Sequence, residues 1–217
     1  MFQRDYFMRL IGQMTEAVGQ VMGLRRQQKQ EEALQLIDEE LNKRFRLNGV
    51  LIRSLSDEDL VRIMTTNGVV ETANLHAISL LLKEEADIHA EMNRPELEFP
   101  VRLKAFQLFM RLAILDAPPM LRTPSEEAEE QRLKLADYEL PEQTKRLMLE
   151  WHELEGRYDQ AENVLFELLE DGAAEPEEAA DFYSRLLLLP EESLAAGGLP
   201  KEEVQDGLER ISKQKQA

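Results

Sequence analysis

Apolar side chains recur at intervals of three and four along the whole sequence, and no stretch alternates cleanly between apolar and polar residues. That period belongs to the α-helix, where residues three or four apart share a face, and not to a half-buried strand, whose period is two. The expected class is all-α with no sheet. In the first helix Tyr6, Leu10, Met14, Ala17, Val21 and Leu24 form one stripe beside Phe7, Ile11, Val18 and Met22, while Asp5, Arg9, Gln13, Glu16 and Gln20 lie opposite. A second helix carries Ala33, Leu34, Ile37, Leu41 and Phe45.

Punctuation residues divide the remainder. Ser56 reads as an N-cap, followed by Asp57, Glu58 and Asp59 at the positive end of a helix dipole, and Asn67-Gly68 is expected to end that short helix. The helix from Val69 to Met92 is apolar on two sides, through Val70, Ala73, Ala77 and Ile88 and through Leu75, Ile78 and Leu82, so neighbours flank it. After Arg94-Pro95-Glu96 the next helix is apolar except for a narrow stripe of Lys104, Gln107 and Arg111, which places it centrally. Pro118-Pro119 stops it, and Thr123-Pro124-Ser125-Glu126 restarts the chain with capping-box spacing.

Composition narrows the role. With 26 basic and 43 acidic residues in 217 the net charge is −17, which disfavours non-specific binding to nucleic acid or anionic membranes. The excess is uneven: residues 1–66 hold ten basic and ten acidic side chains, 67–123 six and eight, and 124–217 ten and twenty-five. Any partner steered by charge is therefore a basic one meeting the C-terminal third. Absence of cysteine excludes disulfide frameworks and thiolate zinc sites. No secretory signal and no spanning segment is legible, so a cytoplasmic setting is expected.

From Pro141 the pattern sharpens. Leu147, Trp151 and Leu154 lie on one helix, Gly156-Arg157-Tyr158-Asp159-Gln160-Ala161 follows, and Val164, Leu165, Leu168 and Leu169 lie on a second. This stretch resembles a tetratricopeptide repeat, in which a small residue turns the hairpin, an aromatic packs between its helices and an alanine permits close approach. Gly156, Tyr158 and Ala161 take those places, although Lys145 stands where a large aromatic is usual. The amino-terminal hairpin repeats the layout more weakly through Gln28, Gln30, Ala33 and Ile37. Phe2-Gln3-Arg4-Asp5-Tyr6-Phe7-Met8-Arg9, with Asp181-Phe182-Tyr183-Ser184-Arg185-Leu186 and Gly197-Gly198-Leu199-Pro200-Lys201-Glu202-Glu203, resembles an uncharacterised bacterial, mostly Firmicute family with a tetratricopeptide-like fold. The resemblance implies one right-handed superhelical array over 1–217, with hairpins at about 3–45, 69–116 and 141–171 and capping helices at about 176–213.

Chemistry is sparse. His76, His89 and His152 lack metal-ligand spacing, and the positions three before them are Ala73, Ala86 and Leu149, which excludes a di-iron bundle. His76 and His152 read as lying on polar faces, and pairs such as Glu84/Glu85 and Glu177/Glu178 as solvated. Glu85 and His89 share a helix side and form the one acid–base candidate. No phosphate-binding loop or nucleophile elbow occurs, so no enzyme activity and no cofactor or metal is expected. Gly12, Gly19 and Gly23 fall within about 40° of one another on the first helix and suggest a backbone packed closely there, from this chain or from a second copy in a homodimer.

Tetratricopeptide grooves are lined by the first helix of each hairpin. The resemblance carries those places onto Thr15, Val18, Met22 and Arg25, and onto Gln143, Arg146, Glu150 and Glu153. It implies a non-catalytic module that binds a peptide or partner helix, without the lysine–asparagine clamp of chaperone-binding members. A small-ligand receptor around Glu85 and His89, or a homodimeric structural protein, are the alternatives.

Overall fold

The computed structural model describes residues 2–45 and 47–214, with residues 2–7 and 214 described by their backbone alone. Tyr6, Phe7 and Asp5 of the first-helix reading therefore lie outside the described side chains. Within these limits the chain forms twelve helices and one two-stranded ribbon, gathered into two compact units, Met1–Tyr138 and Glu139–Ala217.

The first unit opens with α1 (Phe2–Arg26) and α2 (Gln30–Phe45), joined at Gln28, whose φ is +58°. The predicted stripe is the buried one: Leu10, Met14, Ala17, Val18 and Val21 of α1 and Ala33, Ile37, Leu41 and Phe45 of α2 are core. Asn48 caps α3 (Gly49–Ser54), and Ser56 caps α4 (Asp57–Ile63) by accepting from the Asp59 amide at 3.0 Å. Next comes a small sheet where none was expected. β1 (Thr65–Thr66) and β2 (Val69–Val70) pair antiparallel, Thr65 opposite Val70, around Asn67 (φ +53°) and Gly68 (φ +77°). Two consecutive positive φ angles are what a tight primed hairpin turn requires, and Asn-Gly supplies them at least strain. The dipeptide therefore turns a ribbon, and α4 has already ended at Ile63.

α5 (Thr72–Glu91) packs against α6 (Pro95–Ile114) on one side and against α1 and α2 on the other, the flanked position its two apolar sides require. α7 (Pro124–Lys134) covers α6 and begins with the complete capping box: Thr123 Oγ1 accepts from the Glu126 amide, and Glu126 accepts from the Thr123 amide at 2.9 Å. α6 is less apolar than its stripe suggested. Arg102 is only 2% exposed, deep between α5 and α7.

In the second unit α8 (Glu142–Leu154) and α9 (Tyr158–Glu170) form a hairpin turned by Gly156 at φ +71°, and α10 (Pro176–Leu186), α11 (Glu191–Ala196) and α12 (Lys201–Gln214) complete it. Trp151, Leu168, Phe182, Tyr183 and Val204 make its core, and the Arg157 guanidinium lies 4.1 Å from the Trp151 ring. Ala161 is fully buried. The double glycine also acquires a reason: a Cβ at Gly197 would overlap the Gly156 carbonyl and the Tyr158 ring, and the Asp159 amide donates to the Gly197 carbonyl at 3.1 Å. The hairpin turn is seated on a bare backbone.

The glycine line of α1 behaves otherwise. Among the described residues a Cβ at Gly12, Gly19 or Gly23 would meet nothing within 4 Å, so no described part of this chain packs against that line, contrary to the intrachain reading. These glycines lie away from the core stripe, on the side of the helix that α2 and α5 leave open.

Candidate functional site

The residues carried over onto a groove divide between the two units. In the first, Thr15 is exposed and its hydroxyl donates to the Ile11 carbonyl, four residues back, at 2.9 Å. Val18 is buried with Met14, Ala17 and Val21, because it shares their core face. Met22 stays partly exposed beside Arg25, and both line a shallow depression with Gln28, Gln30 and Glu91. Arg25 is held by α5, with Glu84 at 2.5 Å, Glu91 at 2.6 Å and Asp87 at 3.7 Å.

In the second unit Gln143 is exposed, while Arg146 is bonded to Glu142 and Glu178, each at 2.8 Å, and to the Ala173 carbonyl. Glu153 receives two bonds from Arg185, at 2.9 and 2.8 Å. Among the described residues Glu150 makes no ion pair and is exposed, one turn from Glu153. The structure brings these two acids together on one depression of about 490 Å³, bounded by α8 and α10 and lined also by Leu154, Tyr158, Arg185, Leu186 and Leu189. Leu154, at 59% exposed, lies at its edge. Tyr158 links that depression to the α8–α9 turn, since its ring rests against Gly197 beside Gly156.

Lys145, in the place of the missing aromatic, is buried and bridges Glu139 at 2.6 Å, Asp171 at 2.8 Å and Glu167 at 3.3 Å. Hydrogen bonds to Asp171 and Glu139 hold its ammonium above the usual lysine range. It ties the start of α8 to the end of α9 by charge.

Three polar readings are reversed. His76 is buried edge-on to Phe109, with ring centroids 5.9 Å apart, and His152 is buried with its ring stacked on Trp151. His76 is enclosed because α5 is flanked on both sides, so its polar stripe faces protein instead of water. The Glu84/Glu85 pair is also buried. Glu84 belongs to a chain of charges through the first unit: Asp87 takes Arg102 and Lys134, each at 2.9 Å, Lys134 takes Glu130 at 3.0 Å, and Lys83 takes Glu127 at 2.7 Å and Glu130 at 3.5 Å. Arg102 completes it with Glu98 and Gln131, each at 2.8 Å. Burial opposes the charge on Glu130, yet Lys134 and Lys83 hold its pKa down at about 2. A signal was available in the sequence: Glu84, Asp87 and Glu91 stand at i, i+3 and i+7, an acidic line on an otherwise flanked helix.

Glu85 faces elsewhere. Arg53 of α3 donates to its two oxygens at 2.7 Å each, and His89 Nε2 lies 3.8 Å from Oε1. Burial works against its charge, but the nearby His89 and Arg53 together hold its carboxyl below the usual range. Glu85 and His89 line a cavity of about 230 Å³ with Arg53, Leu82, Leu97, Pro100, Val101 and Lys104. Among the described residues no cluster of three or more His, Asp or Glu could hold a metal ion, and no helix is long and apolar enough to cross a membrane.

Compared with known proteins, the chain matches over residues 1–216 a family described as "Family of unknown function (DUF6483)". No curated protein and no solved structure matches it.

Proposed function

The chain belongs to the DUF6483 family, and we propose that it is a non-catalytic, tetratricopeptide-like interaction module that docks a basic peptide or partner helix on the α8–α10 face of its second unit. The observation that carries this reading is the depression of about 490 Å³ in which Glu150, free of any ion pair among the described residues, stands beside the apolar surfaces of Leu154, Leu186 and Leu189. An apolar floor with an acidic rim is what an amphipathic basic helix needs: its leucine-like face loses water while its lysines meet carboxylates. Residues 139–217 carry eight Lys and Arg against twenty Asp and Glu, so the surrounding field attracts the same partner over a longer range. It repels nucleic acid and anionic membranes. The turn through Gly156, Tyr158 and Ala161, seated on Gly197, keeps α8 and α9 in fixed register and so supports a preformed face.

Binding of amphipathic helical peptides with lysine on the polar face, compared with the same peptides carrying glutamate, tests the reading. The lysine set binds, and Glu150→Lys weakens it at least about tenfold by juxtaposing like charges. Leu154→Lys weakens both the apolar and the charged contact. Equal binding of the two sets, or binding unchanged by both substitutions, would refute the assignment.

A further inference from the structure

Asparagine is a thermolabile residue, and a glycine after it leaves the attacking backbone nitrogen unshielded, because glycine has no Cβ. Asn-Gly occurs twice in this chain, each time before valine, in Asn48-Gly49-Val50 and Asn67-Gly68-Val69. The residues that follow treat the two sites alike, and the fold does not.

At Asn48 both reacting groups are engaged. Its side-chain oxygen accepts from the Leu51 amide at 2.6 Å as the N-cap of α3, and the Gly49 amide donates to Asn42 Oδ1 at 3.0 Å. Gly49 is buried, and a Cβ there would overlap the Arg53 guanidinium and the Asp38 carboxylate, so the peptide has little room to turn. At Asn67 neither group is engaged. Among the described residues its side chain and the Gly68 amide make no hydrogen bond, both residues are exposed, and nothing lies within 4 Å of where a Gly68 Cβ would stand. The turn is held by two residue pairs alone, Thr65 with Val70 and Thr66 with Val69, and so short a two-stranded ribbon is marginal in water. Local opening that swings the Gly68 nitrogen toward Asn67 Cγ therefore costs little.

We infer that Asn67 is a site of spontaneous deamidation and that the fold protects Asn48 from the same reaction. The Gly68 nitrogen gives its proton to hydroxide and bonds to Asn67 Cγ. The Cγ–Nδ2 bond breaks, and ammonia leaves with a proton taken from water, closing a succinimide ring. Water then opens the ring at one of its two carbonyl carbons. Breaking the new Cγ–N bond leaves aspartate; breaking the bond from the Asn67 backbone carbonyl carbon to the Gly68 nitrogen leaves isoaspartate, whose chain runs on through the former side chain. Either product adds one negative charge. Aspartate keeps the turn, since it tolerates a positive φ as asparagine does. Isoaspartate lengthens the backbone between Thr66 and Val69 by a methylene, and so unlatches the ribbon between α4 and α5, at whose base the Glu71 amide donates to the Met64 carbonyl at 2.7 Å.

Peptide mapping of the whole chain tests this, because trypsin releases residues 47–53 and 63–83 and so separates the two Asn-Gly pairs. After incubation of the folded protein at pH 8, fragmentation places the acid products at Asn67, and not at Asn74, whose amide donates to Glu71 at 2.6 Å. Conversion at Asn67 is at least about tenfold faster than at Asn48, where two hydrogen bonds must break first. It slows at pH 6, where less of the amide nitrogen is deprotonated. In concentrated urea the two sites convert at similar rates. Asn42→Ala, which removes the acceptor of the Gly49 amide, speeds conversion at Asn48 and leaves Asn67 unchanged, with circular dichroism verifying the fold. Equal rates at the two sites in the folded protein, faster conversion at Asn48, or an Asn67 that persists in the folded chain while the urea-unfolded chain loses it, would overturn the assignment.

Discussion

His76 makes the stability of the first unit depend on mild acid in a calculable way. Its ring is 1% exposed, lies against Phe109 and donates to the Pro118 carbonyl, and burial pushes its pKa from 6.5 down to about 4. The folded protein therefore holds the imidazole neutral while the unfolded chain protonates it below pH 6.5. Stability is fully present above that value and is lost as pH falls toward the folded pKa, since the unfolded state binds the extra proton. Integrating between pH 7 and pH 5 gives a loss of about 2 kcal/mol from this residue. His76→Leu removes the titration at a fixed cost of about 1–2 kcal/mol for the lost hydrogen bond to Pro118. Urea unfolding of both proteins from pH 7 to pH 5 reads the difference. The variant starts less stable, and the difference shifts by about 2 kcal/mol in its favour across that range, which closes or reverses the gap. Parallel curves would show that the ring is hydrated, contrary to the enclosure of α5.

Arg102→Met leaves Glu98 and Gln131 without their buried partner, while Asp87 keeps Lys134, so a loss of about 3 kcal/mol is expected in urea unfolding; a loss under about 1 kcal/mol would mean that the charge chain is not a unit. Gly19→Ala adds a methyl group where nothing lies within 4 Å and should stabilise α1 by about 1 kcal/mol. Destabilisation accompanied by a lower sedimentation coefficient would instead reveal a second copy of the chain on that face.

What the sequence showed was governed by period and by local capping. The α1 and α2 stripes, the Ser56 and Thr123 caps and the Gly156 turn each depend on a few neighbouring residues, and each was legible. Polar residues are not legible as buried where a helix is enclosed on two sides, because period reveals which face is apolar and not whether the other face is covered. His76, Glu84 and Glu85 looked solvated for that reason, and Arg102 was hidden in an apolar run. The ribbon at Thr65–Val70 escaped because strands of two residues have no period to detect, although Asn67-Gly68 marked its turn. Of the candidate site, Glu150 and Glu153 were found through the repeat resemblance, whereas Leu186 and Leu189 come from α10 and the segment after it, far along the chain. Likewise, Glu85 and His89 were legible as a pair, but the cavity they line needs Arg53 and Lys104 from two other helices.

The central claim is that a basic helix occupies the α8–α10 face, and hydrogen exchange with and without a bound lysine-faced peptide addresses it most directly. The account predicts slowed exchange confined to the second half of α8, around Glu150–Leu154, and to the residues from Arg185 to Leu189. Protection that falls elsewhere while these two segments exchange as in the free protein would contradict it.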